Sequence, residues 1–466
     1  MTLHNGKPSD PAVIAPEGVL TYSELDAQFD LCVTTFRAAG IQPGHRVALY
    51  QSTSLRYLIS MLALIELGTV ACPISTRLPE DGLQDAVRRI GAQAIFYADR
   101  VAPVAGSPIS PIFFDGMRID PQEEEAEEAA TDSDRWATII FTSGSSGTPK
   151  AAVHSLDNHF QSALASNVNI ALVPGDQWLL SLPLFHVGGL GIIFRCLQAG
   201  AAMVLPQADE SLEKTLETDG VTHISLVSTQ LYRLMQSEES TRRLAKFKAV
   251  LMGGSAMPER LIARAIEAGI PIHTSYGMTE MTTQITCTPA HADNETLQSS
   301  GFPLRPDSIR LADDGEIQVN GPTRFQGYFT NRELDSPFTS GGWFSTGDCG
   351  RFDKAGRLHV TGRVDNQFIS GGENIQPEEI EHAFCQIEGI LQAVVVPIND
   401  EEFGQRPVAL IRAEGEWNEA SLKDNLRQTL PRFMIPARIL EWPSELIPEG
   451  MKVNRTRLRE YCVSEI

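Results

Sequence analysis

The sequence predicts an α/β protein. We expect a large N-terminal region of several subdomains, with mixed, mainly parallel sheets flanked by helices, and then a small α/β domain. The chain has 466 residues, too many for one ordinary core. Length alone suggests about two to four compact units. Short apolar runs typical of buried strands alternate with helical patterns, an order that favours parallel pairing.

The first elements follow from capping residues and apolar runs. Thr21 is a candidate N-cap, and a glutamate three residues later completes the pattern of a capping box. Residues 47–50 have a strand pattern, residues 58–67 a helical pattern that ends at Gly68, and residues 70–74 a second strand pattern. Strand, helix and strand in this order predict a parallel pair.

The charge balance limits the ligands. Lys and Arg number 38 against 59 Asp and Glu, which gives a formal net charge of −21. No basic face is visible that could neutralise a nucleic-acid backbone, so nucleic acid and anionic membranes are not expected as partners. An anionic ligand must be held by local donors and a metal, since the overall field repels it.

Neither export nor a membrane span is predicted. The start of the chain lacks a basic segment followed by an apolar core. The longest apolar stretch, residues 57–74, is interrupted by polar residues, glycine and proline, and is interpreted as a core helix and strand. Seven scattered cysteines without C-x-x-C spacing indicate neither a disulfide framework nor a zinc site. These features fit a cytoplasmic protein.

A run of β-forming residues, 136–141, ends abruptly in a loop rich in hydroxyls and glycine. The loop comprises Thr142, Ser143, Gly144, Ser145, Ser146, Gly147, Thr148, Pro149 and Lys150. Small side chains let successive N–H groups turn toward one point, while hydroxyls and a lysine add donors, so the loop suits a triphosphate. It is not a Walker loop, because only two residues separate its glycines. The alternative is an ordinary surface turn.

Two residues stand out after this loop. His186 lies beside glycines, where a histidine is more often a structural hydrogen-bonding group than a functional one. Arg195 interrupts the apolar run 190–197, and burying an unpaired guanidinium is costly. Its side chain can reach water, form an internal ion pair, or clamp a second carboxylate on a substrate.

Two later segments carry candidate nucleotide contacts. Gly254 and Ser255 follow a strand and would admit a flat ring close to the backbone, on which Tyr276 could stack. Glu280 ends the string Tyr-Gly-Met-Thr-Glu and offers oxygen to a hard cation such as Mg²⁺.

The end of the large region offers a ribose contact and a domain boundary. A carboxylate such as Asp348 is the usual partner of vicinal ribose hydroxyls, and Arg363 can add to it. Polar, glycine-rich sequence and a new α/β pattern follow. We therefore predict domains at 1–364 and 366–466, with Asp365 as the hinge.

Five signatures in fixed order lie in the part of the chain from Thr142 to the C-terminus, which is about two-thirds of its length. They are the loop 142–150, Pro-Leu-Phe-His at 183–186, Tyr-Gly-Met-Thr-Glu at 276–280, Ser-Thr-Gly-Asp at 345–348, and the segment 366–381 with its Gly-Gly-Glu loop. This ordered set resembles the adenylate-forming superfamily of acyl-CoA synthetases, luciferases and peptide-synthetase adenylation domains. The resemblance implies an AMP-forming acid–thiol ligase that uses ATP, Mg²⁺ and coenzyme A through an acyl-adenylate.

The resemblance also implies roles for individual residues. The C-terminal domain would be mobile and would swing about Asp365 between two half-reactions. Phosphates would be held by the loop 142–150, and the rest of the nucleotide by residues already named. The implied catalytic residues are His186, Thr279, Glu280 and Lys452. The acyl group would be bound by His186, Arg195, Gly277 and Thr279, and the nucleotide would also be contacted by Gly277 and Lys452. The thioester step would use Gly371, Gly372 and Glu373.

Within the superfamily, the chain most resembles the o-succinylbenzoate–CoA ligases of menaquinone biosynthesis, which implies an aromatic dicarboxylate as substrate. One departure is Met451, which separates Gly450 from Lys452 where most relatives have Gly-Lys. Another aryl- or acyl-CoA ligase, an adenylation module that loads a carrier protein, and a non-catalytic binding relative remain alternatives. The sequence leaves the oligomeric state open, a homo-oligomer included.

Overall fold

The computed structural model describes residues 3–97, 100–104, 112–113, 134–142, 149–207, 210–254, 257–443, 446 and 453–465. Several predicted site residues lie outside these ranges, namely Ser143, Gly144, Ser145, Ser146, Gly147, Thr148, Ser255 and Lys452. The predictions for them therefore rest on the sequence.

The first half of the chain contains twelve described strands and six described helices. In order they are β1 (Pro11–Ala15), β2 (Gly18–Thr21), α1 (Tyr22–Ala38), β3 (Arg46–Leu49), α2 (Leu55–Leu67), β4 (Val70–Pro73), α3 (Glu80–Ile90), β5 (Ala94–Tyr97), β6 (Arg100–Pro103), β7 (Ile112–Phe113), β8 (Trp136–Thr142), β9 (Lys150–Ser155), α4 (Leu156–Ile170), β10 (Gln177–Leu179), α5 (Val187–Ala199), β11 (Ala202–Val204), α6 (Leu212–Thr215) and β12 (His223–Leu226).

The second half contains more strands than helices. It continues with α7 (Ser228–Leu234), α8 (Glu238–Leu244), β13 (Ala249–Met252), α9 (Glu259–Glu267), β14 (Ile272–Gly277), a 3-10 turn (Thr279–Met281), β15 (Gln284–Cys287), α10 (Asn294–Leu297), β16 (Phe302–Pro303), β17 (Ile309–Leu311), β18 (Glu316–Val319), β19 (Gly327–Thr330), β20 (Glu333–Asp335), β21 (Phe344–Phe352), β22 (Leu358–Arg363), a 3-10 turn (Val364–Asn366), β23 (Phe368–Ser370), β24 (Glu373–Ile375), α11 (Pro377–Cys385), β25 (Ile390–Asp400), β26 (Gly404–Ala413), α12 (Glu419–Leu426), a 3-10 turn (Arg432–Met434), β27 (Arg438–Glu441) and α13 (Arg455–Glu465).

Two nine-stranded sheets form the framework of the large region. The first has the order β16-β15-β14-β13-β12-β10-β11-β1-β2, and the second β20-β19-β9-β8-β4-β3-β5-β6-β7. The neighbours from β14 to β1 are parallel, as are those from β8 to β5. Antiparallel strands complete both edges, which gives the mixed sheets flanked by helices that were predicted.

Local signals place the first crossover as predicted. The Thr21 side chain accepts from the Glu24 N–H, and the Glu24 side chain accepts from the Thr21 N–H, so the capping box is present. Gly68 ends α2 with a φ of 87°, a conformation that costs glycine little. Strands β3 and β4 pair in parallel on either side of α2, so residues 57–74 are a core helix and strand.

Smaller sheets follow the large ones. Strands β17, β18, β21 and β22 form an antiparallel sheet, and β25, β26 and β27 form a sheet of their own with helices α11 and α12 against it. The two hydrophobic clusters that contain residues after position 366 contain none from before it. The hinge at Asp365 and the domains 1–364 and 366–466 stay predictions.

The seven cysteines are all free thiols. Within the described ranges, no helix combines the length and the apolar character needed to cross a bilayer.

Candidate active site

The predicted phosphate loop joins two antiparallel strands. Strands β8 and β9 pair with Thr142 opposite Lys150, so the loop is the connection of a hairpin. Because cross-strand partners share a face, Thr142, Lys150 and His154 project on one side of it and Phe141 on the other. Thr142 is nearly buried, whereas Lys150 is exposed with its Nζ 4.8 Å from the centre of the Tyr328 ring. The hairpin therefore presents a hydroxyl and an ammonium group together.

Glu280 lies in the short 3-10 turn after β14. Its side chain is almost buried, and its Oε1 accepts a hydrogen bond of 2.7 Å from the Tyr328 hydroxyl. Its carbonyl accepts from the Phe325 N–H at 2.8 Å, which fixes the backbone of the turn. Burial, followed by the Glu280 charge, raises the pKa of Tyr328 well above its usual range, so the hydroxyl stays a donor.

The donor set at Glu280 fits a magnesium ion that is held mainly by nucleotide phosphates. Of its two carboxylate oxygens, Oε1 already accepts from Tyr328. The described residues contain no group of three acidic, histidine or cysteine side chains that could form an all-protein metal cage. Mg²⁺ commonly binds through one or two carboxylates plus substrate phosphates, so a single carboxylate is sufficient.

Asp348, Tyr276 and Arg363 form one polar cluster. Asp348 Oδ2 accepts from the Tyr276 hydroxyl at 2.7 Å, and its Oδ1 accepts from Arg363 Nη1 at 2.7 Å. Burial, then the Asp348 charge, raises the pKa of Tyr276 far above its usual range. Burial lowers the pKa of Arg363, but Asp348 and Asp365 outweigh it and leave that pKa raised. Asp348 is therefore held as an oriented carboxylate.

Two glycines allow close backbone approach near this cluster. A Cβ at Gly277 would lie 2.0 Å from the Thr283 carbonyl oxygen, so no other residue fits there without a backbone shift. Gly254 has a φ of 83° and is exposed. Gly277 thus lies next to Tyr276 of this cluster and against the backbone of Thr283, the residue before β15.

Arg195 is buried, with 2% of the residue exposed. Its Nη2 donates to Gln284 Oε1 at 2.9 Å and, more weakly, to Thr283 Oγ1 at 3.4 Å, and its guanidinium lies 5.2 Å from the Trp178 ring. No carboxylate in the described part of the chain forms an ion pair with it, and its Nε has no hydrogen-bond partner there. Among the described residues, the structure therefore supports neither a side chain that reaches water nor an internal ion pair.

The Arg195 site is a buried cation with neutral partners. Burial lowers the pKa of Arg195 to about 10, far enough above neutrality for the charge to persist. Gln284 Oε1 also accepts from Ser166, while the buried Gln284 Nε2 has no nitrogen or oxygen acceptor among the residues that the structure describes. Arg195 Nε and Gln284 Nε2 are therefore two donors of one network without an acceptor in the described part of the chain. A carboxylate ligand would supply acceptor oxygens for them.

His186 is the residue before helix α5, where its side chain makes no capping hydrogen bond. Its ring lies 4.6 Å from that of Phe185. The next turn is tight, since a Cβ at Gly189 would lie 2.3 Å from the Pro183 carbonyl oxygen. Glycine there lets the helix that bears Arg195 start directly behind the histidine.

Two residues near the site were missed by the sequence argument. Tyr328 lies between Lys150 and Glu280, and His154 Nε2 bonds the Thr279 carbonyl at 2.7 Å. Burial lowers the pKa of His154 to about 4, so at neutral pH it is an uncharged donor to that carbonyl. The alternation of β9 could have indicated His154, because it is four residues from Lys150 and so on the same face.

The arginine Arg89, also unpredicted, contacts the hairpin from its other face. Its guanidinium donates to the Pro149 carbonyl and lies 5.5 Å from the Phe141 ring. It can hold the base of the loop without facing the Thr142 side.

The predicted thioester loop lies in the short hairpin of β23 and β24. Gly371 and Gly372 connect β23 to β24 with φ values of 59° and 89°, and Glu373 is the first residue of β24; all three are exposed. Asp365 is exposed, 3.5 Å from Arg363 Nη2. The structure thus joins Lys150 with Glu280 through Tyr328, and Asp348 with Tyr276 and Arg363. No contact among the described residues joins the thioester loop to the group around Glu280 or to the group around Asp348.

The chain belongs to the AMP-binding enzyme family. The model of that family matches residues 4–329, and the model of the AMP-binding enzyme C-terminal domain matches residues 379–448. The predicted membership of the adenylate-forming superfamily is thereby confirmed.

The relatives of the chain include ligases of one kind. It is 35% identical over 451 residues to the 2-succinylbenzoate–CoA ligase of Salmonella typhimurium, covering 97% of this chain and 94% of the relative. The structure resembles o-succinylbenzoate CoA synthetase (MenE) from Bacillus subtilis with the acyl-adenylate intermediate OSB-AMP, with a TM-score of 0.84, 29% identity and coverage of 97% and 96%. It also resembles that enzyme with ATP and a magnesium ion, with a TM-score of 0.81, 27% identity and coverage of 97% of each chain.

Proposed function

We propose that this protein ligates 2-succinylbenzoate to coenzyme A through an acyl-adenylate, with release of AMP and pyrophosphate. Relatives that span nearly the whole chain support both the reaction and the acid. The observation that carries the choice of acid is Arg195, a buried cation whose hydrogen-bond partners are neutral. A second carboxylate on the substrate would supply the missing anion.

On the nucleotide side, Thr142 and Lys150 would hold the β- and γ-phosphates together with Ser143 and Thr148. Glu280 would hold Mg²⁺. When bound, that cation bridges phosphate oxygens and offsets their negative charge. The negative charge of the phosphates would then be neutralised by Lys150 and by the magnesium ion. Such local positive charge is needed because the net charge of the protein is −21.

The nucleoside would lie between two groups of residues. Asp348, oriented by Tyr276 and Arg363, would accept from the ribose hydroxyls. The adenine would lie against the backbone at Gly254 and the adjoining serine, beside the Tyr276 ring.

The first half-reaction is attack by a carboxylate oxygen of the acid on the α-phosphorus of ATP. A C–O–P linkage forms as the bond from that phosphorus to the bridging oxygen breaks, and pyrophosphate leaves with the electron pair. Lys452 would lie between the α-phosphate and the acid, while His186, Gly277 and Thr279 line the acyl pocket. The protein contributes mainly position and opposite charge.

In the second half-reaction the thiol of coenzyme A attacks the acyl carbon. A C–S bond forms, the C–O bond to the phosphate breaks, the thiol proton is released and AMP leaves. Rotation of the domain 366–466 about Asp365 would replace Lys452 with the Gly371, Gly372 and Glu373 loop.

A panel of acids tests the substrate. AMP release with coenzyme A should be fastest with 2-succinylbenzoate and much slower with aromatic monocarboxylates. Arg195→Leu should raise the KM for the dicarboxylate about tenfold or more, the loss of a charge-assisted hydrogen bond. The KM for a monocarboxylate should change little. Equal changes for both acids would remove Arg195 from the pocket, and no AMP release with any acid would reject the ligase.

Separate half-reactions test the domain rotation. Lys452→Ala should abolish acyl-adenylate formation, read as pyrophosphate exchange, but spare thioester formation from supplied acyl-adenylate. Equal loss of both half-reactions would contradict the hinge at Asp365.

The proposed partners are small molecules: the acid, ATP and coenzyme A. The seven free cysteines support a cytoplasmic location.

A further inference from the structure

Tyr328 contacts two proposed site charges with two different parts of its side chain. Its hydroxyl donates to Glu280 Oε1 at 2.7 Å. The face of its ring lies 4.8 Å from Lys150 Nζ. Strand β19 makes both contacts reachable, because Tyr328 pairs with Ala152, two residues from Lys150 along β9.

We propose that Tyr328 is a positioning residue that couples the cation-binding carboxylate of Glu280 to the phosphate-binding ammonium of Lys150. The inference rests on the proposed function, since it assigns both charges to the polyphosphate. Tyr328 itself contacts neither phosphate nor cation; it acts through its two neighbours.

The hydroxyl acts on the carboxylate. A carboxylate with one oxygen bound by a fixed donor has a defined plane, and its other oxygen points in a defined direction. Without the donor, the Glu280 carboxylate can rotate about its last bond. Binding of the cation would then cost the conformational entropy of that rotation. Tyr328 thereby prepares Glu280 Oε2 for the cation.

The ring acts on the lysine. Lys150 is exposed and has a long flexible side chain, so many of its rotamers point away from the phosphates. An aromatic face within about 6 Å attracts an ammonium group and favours the rotamers above it. The same residue thus places the two charges at a fixed separation.

Packing alone does not account for the hydroxyl. The Tyr328 ring belongs to an aromatic cluster, with centroid distances of 4.8 Å to Phe325 and 6.5 Å to Phe344. A phenylalanine would fill the same space and avoid burying a polar group. The Glu280 carboxylate is the acceptor that makes burial of this hydroxyl tolerable.

Binding of ATP without the acid tests the proposal apart from turnover. Calorimetric ATP titrations over a series of Mg²⁺ concentrations give the affinity without Mg²⁺ and the Mg²⁺ concentration of half-effect. Tyr328→Phe should raise that concentration about tenfold and leave metal-free ATP binding unchanged, because it removes a hydrogen bond to a charged group. Tyr328→Leu should in addition weaken metal-free binding about threefold, through loss of the cation–π contact.

A tyrosine away from the site provides the matched control. The Tyr50 hydroxyl donates to the Leu78 carbonyl at 3.0 Å, so Tyr50→Phe also removes one partly buried hydroxyl bond. It should leave both affinities at wild-type values. Melting temperatures without ligand separate loss of fold from loss of binding.

Variants of the two charges distinguish the possible failures. Glu280→Gln should abolish the Mg²⁺ effect, and Lys150→Gln should weaken binding of ATP with or without Mg²⁺. If neither variant alters ATP binding, the proposed phosphate site is wrong. If both do, and Tyr328→Phe behaves as wild type, the site stands and the role of Tyr328 is overturned. In the Glu280→Gln background, Tyr328→Phe should leave the affinity for ATP at the value of the single variant at every Mg²⁺ concentration; a further loss of affinity would also overturn it.

Discussion

Two arginines in this molecule have contrasting surroundings. Arg363 is half exposed and is compensated within the chain, with Asp348 at 2.7 Å and Asp365 at 3.5 Å. Arg195 is buried, and its hydrogen bonds go to an amide and a hydroxyl. Their pKa values shift in opposite directions. Burial opposes the charge of both, but the carboxylates reverse its effect at Arg363 only.

The contrast indicates different uses of the same side chain. A cation that is already neutralised by the fold orients its partner, so Arg363 acts on Asp348 and through it on the proposed ribose site. A buried cation without an anion is costly until a ligand supplies one, so Arg195 is suited to select a charged substrate. The comparison can be tested by removing the internal anion from the first site and adding one to the second.

The largest effect is expected from Asp348→Asn. The substitution keeps the shape of the side chain but removes the charge that faces Arg363 and Tyr276 and the proposed ribose acceptor. Two hydrogen bonds to a charged group are weakened, so the KM for ATP in pyrophosphate exchange should rise about a hundredfold.

Asp353→Asn is the matched control on the same hairpin. Asp353 accepts from Arg357 Nε at 2.6 Å at the far end of β21 and β22. This substitution should lower the melting temperature but leave the KM for ATP near its wild-type value. If the two variants raise that KM equally, Asp348 acts through stability of the sheet and not through the nucleotide.

A smaller effect is expected from Gln284→Glu, which would give Arg195 an internal anion. The amide oxygen at this position is already 2.9 Å from the guanidinium, so a carboxylate there would form an ion pair. It would also repel the second carboxylate of the substrate. The KM for 2-succinylbenzoate should rise about tenfold, with little change for an aromatic monocarboxylate.

The surface provides a control for this change as well. Arg310 Nε donates to Gln318 Oε1 at 2.8 Å on an exposed strand pair. Gln318→Glu introduces the same charge next to an arginine and should leave both KM values unchanged. A rise for the dicarboxylate in both variants would indicate an effect of net charge and contradict the contrast between the two sites.

The sequence predicted the parts of this molecule that depend on nearby residues. Thr21 and its glutamate lie three residues apart, and Gly68 directly follows its helix, so steric preference and local hydrogen bonding decide both. Arg195 was recognisable because a charged residue within an apolar run must find a partner. Which partner it has depends on β15, about ninety positions away.

Contacts between distant strands were beyond the sequence. Tyr328 meets Lys150 because β19 pairs with β9, and such a pairing leaves no periodic signal in either strand. The alternation of β9 indicates the face of His154 but not its bond to the Thr279 carbonyl, since a backbone acceptor has no signature in the amino-acid sequence. Sequence reasoning therefore named one member of each pair and missed the other.

The smallest effect is expected from acid, and it concerns two buried histidine rings that, unlike Arg195, are uncharged at neutral pH. His159 stacks on Phe194, next to Arg195, and its ring centre lies 5.4 Å from that of His154. Burial lowers the pKa of His154 to about 4 and that of His159 well below its usual value. Well above pH 6.5, both rings are neutral in the folded and in the unfolded protein. As the pH falls below about 6.5, the unfolded chain binds protons that the folded chain does not, so stability is lost down to about pH 4.

His154→Gln keeps an N–H donor for the Thr279 carbonyl and removes the titrating ring. The loss of unfolding free energy between about pH 6.5 and about pH 5.5 should shrink by about 1 kcal/mol, measured by urea unfolding at each pH. If His154→Gln leaves the slope unchanged, His154 binds its proton over the same pH range in the folded and the unfolded protein, and its ring is not held neutral by burial.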